Sequence, residues 1–127
     1  RSLCDWSSDV CSSDLVFPAA QQTQVRVQLS SSLLAVFTQT LCKRSTPSGG
    51  AFGRVMAQEI MVNTPAIANL IREGKTAQLY SQIQTGASQG MQTLERALAN
   101  LVLQGKITQD EATLRTTRPE ELDRLLA

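Results

Sequence analysis

The chain has 127 residues, 42% hydrophobic and 18% charged, with a net charge of +1, enough for one domain with a modest core and too balanced for a nucleic-acid footprint. It has no histidine, which removes imidazole acid–base chemistry, imidazole-based triads and imidazole metal ligands together. Three cysteines, Cys4, Cys11 and Cys42, form no disulfide framework and no CxxC pair, and no apolar stretch reaches the ~18 residues of a membrane span.

Nothing at the N-terminus has the apolar region of a signal peptide. An intracellular, soluble chain is the default expectation, with no membrane insertion, no nucleic acid and no bound metal.

Arg1 to Leu15 stands apart. RSLCDWSSDVCSSDL repeats Ser-Ser-Asp at 7–9 and 12–14, holds two of the three cysteines and the only tryptophan, and follows neither a helical nor a strand period. Ser-Ser-Asp-Leu is what the codons TCT-TCC-GAT-CTN spell, as in translated read-through of a sequencing adapter. Residues 1–15 read as an artefactual or disordered tail and 16–127 as the folded portion, whose net charge is +3.

In chain order, residues 20–38 read as a helix. Val25, Leu29, Leu33 and Val36–Phe37 recur at three- and four-residue spacing, Pro18 stands ahead of the start, and glutamines fill the polar side. Ser30 to Ser32 are weak helix formers, so packing must hold this helix. Leu41–Cys42–Lys43 reads as a short strand, 45–53 as a turn-rich loop, and Arg54 to Val62 as a second strand bounded by Gly53 and Thr64–Pro65. The stretch 40–62 is then a hairpin with a long loop. Cys42 reads as a small buried hydrophobe. Glu59 is expected to face water or to pair structurally; if buried, it needs a cationic partner.

Thr64–Pro65 is a helix start and Gly74 a left-handed cap, with Ile67, Leu70 and Ile71 as the apolar stripe between them. Thr76 can cap a second helix through Thr85, with Leu79, Tyr80 and Ile83 inward. Gly86 and Gly90 bracket a turn. A third helix, about 91–104, carries Met91, Leu94, Leu98, Leu101 and Val102, and Gly105 ends it. Thr108 with Glu111 makes a capping box, and Pro119 opens a last helix with Leu122, Leu125 and Leu126. The pattern is α-rich α/β, one β-hairpin plus about five short helices.

Chemical motifs are scarce. Gly74–Lys75–Thr76 has the tail of a phosphate loop, but the first glycine of GxxxxGK[ST] would stand where Asn69 does, and the triplet follows a helix instead of a strand. Asp110–Glu111 and Glu120–Glu121 sit in first turns, where macrodipole stabilisation is a simpler account than a catalytic dyad. Neither catalytic nor metal-ligating nor cofactor-binding residues are expected.

Residues 66–73 read Ala66-Ile67-Ala68-Asn69-Leu70-Ile71-Arg72-Glu73. They resemble the AIRNLIRE signature of the PilT family, the type IV pilus retraction ATPases. Val16-Phe17-Pro18 with Gln24-Val25-Arg26, the run Arg54-Val55 to Val62, Ile83-Gln84-Thr85-Gly86 and Gly90-Met91-Gln92-Thr93 resemble other stretches of that family in the same order.

The resemblance covers roughly 16–127. It implies the C-terminal part of a RecA-like ATPase domain. The phosphate loop, the acidic motifs and the histidine box would lie upstream, so this portion would be inactive alone. The parent would use ATP and Mg and act as a homo-hexamer. It would be cytoplasmic, at the inner-membrane base of the pilus, against a platform protein.

One departure is Ala68, where the signature has Arg; either this branch does without that cation, or another residue such as Arg72 or Lys75 supplies it. The alternatives are a related secretion or pilus-extension ATPase and a non-enzymatic helical interaction module.

Overall fold

The computed structural model describes residues 16–45 and 53–127. The expectations for Arg1 to Leu15 and for most of the hairpin loop fall outside these residues. Helix α1 (Ala19–Ser32) begins after Pro18 and ends at the three serines. The expected helix to residue 38 is therefore six residues too long. Ser30 and Ser31 both turn their hydroxyls back on the Val27 carbonyl, at 2.8 and 3.0 Å, and Ser32 bonds that of Gln28 at 2.8 Å. Such back-bonding weakens a helix. Val36, Phe37, Thr38 and Thr40 then favour an extended chain, and a partner strand is at hand.

Strand β1 (Ala35–Lys43) thus starts well before the expected 41–43. It pairs antiparallel with β2 (Arg54–Val62), from Ala35 opposite Val62 to Lys43 opposite Arg54. Asn63 closes the corner between helix and hairpin. Its side-chain amide donates to the carbonyls of Ser30 and Leu33, at 3.0 and 2.6 Å. The inner face of the hairpin carries Val36, Cys42, Ala57 and Met61, and Glu59 with them. Glu59 is buried, not turned to water, because the period of two that sends Ala57 and Met61 inward sends residue 59 inward too.

Helix α2 (Pro65–Glu73) has the expected limits. The Thr64 side chain accepts from the Ile67 N–H, and Gly74 ends the helix at φ 69°. A short 3-10 turn, Thr76–Gln78, precedes α3 (Leu79–Thr85), so Thr76 does not serve as a side-chain cap. A second such turn fills Gly86–Gln89.

The next helix, α4 (Leu94–Leu103), starts three residues later than its apolar stripe implies. Gln92 is extended and exchanges two backbone hydrogen bonds with Ile60, at 2.8 and 3.0 Å, which satisfies the outer edge of β2. Thr93 then caps α4. Helices α5 (Gln109–Arg115) and α6 (Pro119–Leu126) begin as expected, with acidic first turns. Six α-helices and one hairpin are present among the described residues.

Two apolar cores result. The first joins Met61, Ile67, Ile71, Leu79, Ile83 and Met91, with α1 packed on α2. The second joins Cys42, Ala57, Leu98, Ile107, Ala112 and Leu122.

Candidate functional site

Helix α2 has two distinct faces. Ile67 and Ile71 are 0% and 1% exposed and Leu70 is half-buried against the same core, while Asn69, Arg72 and Glu73 face water. Positions 67, 70 and 71 share one side of a 3.6-residue helix, and 69, 72 and 73 lie off it. Ala66 is exposed and Ala68 half-buried.

On the outer face, Arg72 Nη1 donates to Asn69 Oδ1 at 3.0 Å. Lys75 Nζ lies 2.7 Å from Glu73 Oε2 and, as donor and as charge, holds the Glu73 carboxyl below its ordinary value. Amide, guanidinium, carboxylate and ammonium groups thus line this exposed edge. Arg72 is one turn beyond Ala68 on the same side of the helix.

The C-terminal end of α2 is closed by α1. Gly74 takes the left-handed conformation, and its N–H donates to the Ile71 carbonyl at 3.1 Å; the Lys75 N–H donates to Leu70 at 2.9 Å. A Cβ on Gly74 would lie 2.8 Å from Arg26 Nη1, so the guanidinium covers the negative end of the helix. In Gly74–Lys75–Thr76, the Gly74 and Lys75 amides are both taken by carbonyls of the helix they end. No group of three or more acidic or thiol side chains that could hold a metal ion occurs among the described residues.

One member of each acidic pair, Glu111 and Glu121, is tied to neighbouring elements. Glu111 does not reach back to complete a capping box on Thr108; only the Thr108 side chain caps, accepting from the Glu111 N–H. Instead Glu111 Oε1 accepts from the Lys43 N–H at 2.9 Å and from Arg115 Nε at 3.0 Å, tying α5 to the end of β1. Glu121 accepts from Gln84 at 2.7 Å and from Arg124 at 3.2 Å. Cys42 is fully buried, and burial raises its thiol above the ordinary value.

The Lys43 N–H, then Arg115, hold the Glu111 carboxyl below its ordinary 4.5. In the folded chain it therefore binds a proton less readily than in the unfolded chain. The stabilisation is present above about pH 4.5 and is lost as the pH falls through the lower folded value. Glu111→Gln should flatten this acid limb by about 1 kcal/mol, the order of one partly exposed hydrogen bond. Urea unfolding between pH 3 and pH 6 measures it; an unchanged pH slope would show that the contact carries no such stability.

Sequence reasoning passed over Glu95. It is 1% exposed on α4, with Oε1 accepting from Thr116 Oγ1 at 3.0 Å and Oε2 from the Tyr80 hydroxyl at 3.2 Å. The signal was available in the spacing, since residue 95 is four after Met91 and three before Leu98 on the apolar stripe. Its first-turn position also satisfies the helix macrodipole, which masks that signal.

Over 105 residues the chain is 53% identical to the type IV pilus retraction ATPase PilT of Pseudomonas aeruginosa, covering 83% of this chain and 29% of that protein. It is 45% identical over 107 residues to a twitching motility protein of Neisseria gonorrhoeae, covering 84% and 28%. The crystal structure of the pilus retraction motor PilT with bound ADP matches it with a TM-score of 0.78 at 37% identity, over 93% of this chain and 31% of that one.

The chain belongs to the PilT family.

It spans less than a third of the length of these relatives, and no family model matches it. The helix-rich fold with its antiparallel hairpin matches the C-terminal region of the PilT ATPase. An aligned stretch of 105 residues in a chain of 127 contains α2 wherever it lies. The Pseudomonas aeruginosa relative is a pilus retraction ATPase, and the PilT crystal structure holds ADP. No helix among the described residues is long and apolar enough to cross a membrane.

Proposed function

We propose that residues 16–127 form the C-terminal part of a motor ATPase that powers type IV pilus retraction. The observation that carries this reading is the 53% identity to a pilus retraction ATPase across 105 residues. In this reading the whole protein binds ATP and Mg through residues outside this stretch and assembles as a homo-hexamer. It works from the cytoplasm at the inner-membrane base of the pilus, against a platform protein.

Residues Ala66 to Glu73 are the retraction element. Ile67, Leu70 and Ile71 dock it, and Asn69, Arg72 and Glu73 present a polar edge to the partner. Their exposure, and the hydrogen bond that orients the Arg72 guanidinium, support that division. With Ala68 at the third position, Arg72 supplies the cation.

The genomic DNA upstream of codon 16, read in an independent assembly, tests the proposal. An open frame encoding GxxxxGK[ST] after a strand is expected. A stop codon, or an unrelated frame, would overturn it in favour of a non-enzymatic helical module.

The purified 127-residue chain is expected neither to bind nor to hydrolyse ATP, because the amides at Gly74 and Lys75 are spent on ending α2. Calorimetric titration with Mg-ATP should show no binding heat. Saturable heat abolished by Lys75→Ala would assign the triplet a nucleotide role after all.

A further inference from the structure

The two apolar cores meet along a polar seam. On the inner face of the hairpin, Val36 and Met61 pack with the first core, and Cys42 and Ala57 with the second. The rung between them is Thr38 opposite Glu59, both buried.

Between the helices the seam is crossed by Tyr80, whose neighbours Leu79 and Ile83 belong to the first core, and Glu95, which stands beside Leu94 in the second. The Glu95 carboxylate is held by the hydroxyls of Tyr80 and Thr116. Thr116 Oγ1 in turn accepts from the Arg118 N–H at 3.0 Å, and the Arg118 guanidinium lies 3.7 Å over the Tyr80 ring. Burial, then the charge of Glu95, raises the Tyr80 hydroxyl well above its ordinary value, which keeps it a donor.

A buried carboxylate loses its compensation as soon as its donors move, and a hydrogen bond weakens steeply with angle.

We propose that Tyr80 and Glu95 are positioning residues that fix the α2–α3 unit on the C-terminal core, and so set the angle at which Asn69, Arg72 and Glu73 are presented. The second half of this statement rests on the reading of α2 as the retraction element; the first half does not.

Hydrogen exchange on the full 127-residue chain tests the first half. Tyr80→Phe keeps the ring and the Arg118 stack and removes only the hydroxyl. It should raise exchange at least tenfold at the amides of α2 and α3 and leave those of α4 and α6 unchanged. Equal rises in both units would mean a purely structural contact and overturn the proposal, as would no rise. Glu95→Gln should give the same selective pattern; if it does not fold, Tyr80→Phe alone decides.

In a full-length motor carrying this sequence, Tyr80→Phe should slow retraction severalfold with ATP hydrolysis unchanged. Normal retraction by Tyr80→Phe, where Arg72→Ala abolishes it, overturns the positioning role and leaves α2 its function. Normal retraction by both variants overturns the reading of α2 itself, and the exchange pattern then still decides the pinning of the two cores.

Discussion

Ile71→Ala is expected to cost about 2–5 kcal/mol of unfolding free energy, the range for truncating a fully buried aliphatic side chain. Ile71 is 1% exposed and packs with Ile67, Leu79 and Ile83 in the first core. Helix α2 has only nine residues, too short to persist without tertiary packing. A chain of this size has about 5–15 kcal/mol in total, so the loss takes a large share of it. Leu70→Ala should cost less, because Leu70 is half-buried. Arg72→Ala should stay within about 0.5 kcal/mol, as exposed positions do. Urea unfolding followed by circular dichroism ranks the three; a silent Ile71→Ala would mean that α2 does not dock through this face.

The second large effect is functional. In a full-length motor carrying this sequence, Arg72→Ala is expected to abolish pilus retraction while leaving hexamer assembly and thermal stability intact. Arg72 makes its hydrogen bond to Asn69 along the helix surface and contributes nothing to either core. Ala68 carries no charge, and the Arg72 guanidinium is the one that α2 exposes on that side. A conservative Arg72→Lys should restore part of the activity if charge suffices and none if the planar fork is needed. Retraction measured by twitching, alongside ATP hydrolysis by the same preparations, separates the outcomes. Normal twitching by Arg72→Ala would remove the polar edge of α2 from the mechanism.

Both effects were legible in the sequence to different degrees. The spacing of Ile67, Leu70 and Ile71 was enough to divide the faces of α2, because a nine-residue helix leaves its apolar stripe only one place to go. The degree of burial was not. Leu70 sits at the margin of the stripe, where the extent of cover depends on how α1 lies across α2. Glu95 was hidden for a related reason. An acid in a first turn has a sufficient local explanation, and only the approach of Tyr80 and Thr116, from 15 residues before and 21 after, turns it into a buried acceptor.

What the sequence determined by itself is the set of boundaries made by local chemistry. Thr64–Pro65 and Gly74 delimit α2, Thr108 and Pro119 open the last two helices, and the run from Arg54 to Val62 is a strand. Each rests on a cap, a ring or a turn acting within four residues of itself.

What the tertiary structure decided are the places where a distant partner competes for the backbone. Helix α1 yields to β1 after Ser32 because nine residues of β2 are there to pair with it. Helix α4 waits until Leu94 because Gln92 is taken by Ile60. Glu111 takes the Lys43 N–H in place of the Thr108 N–H because β1 ends beside it. A backbone group takes whichever partner the fold brings within reach, and that proximity is absent from any local window of sequence.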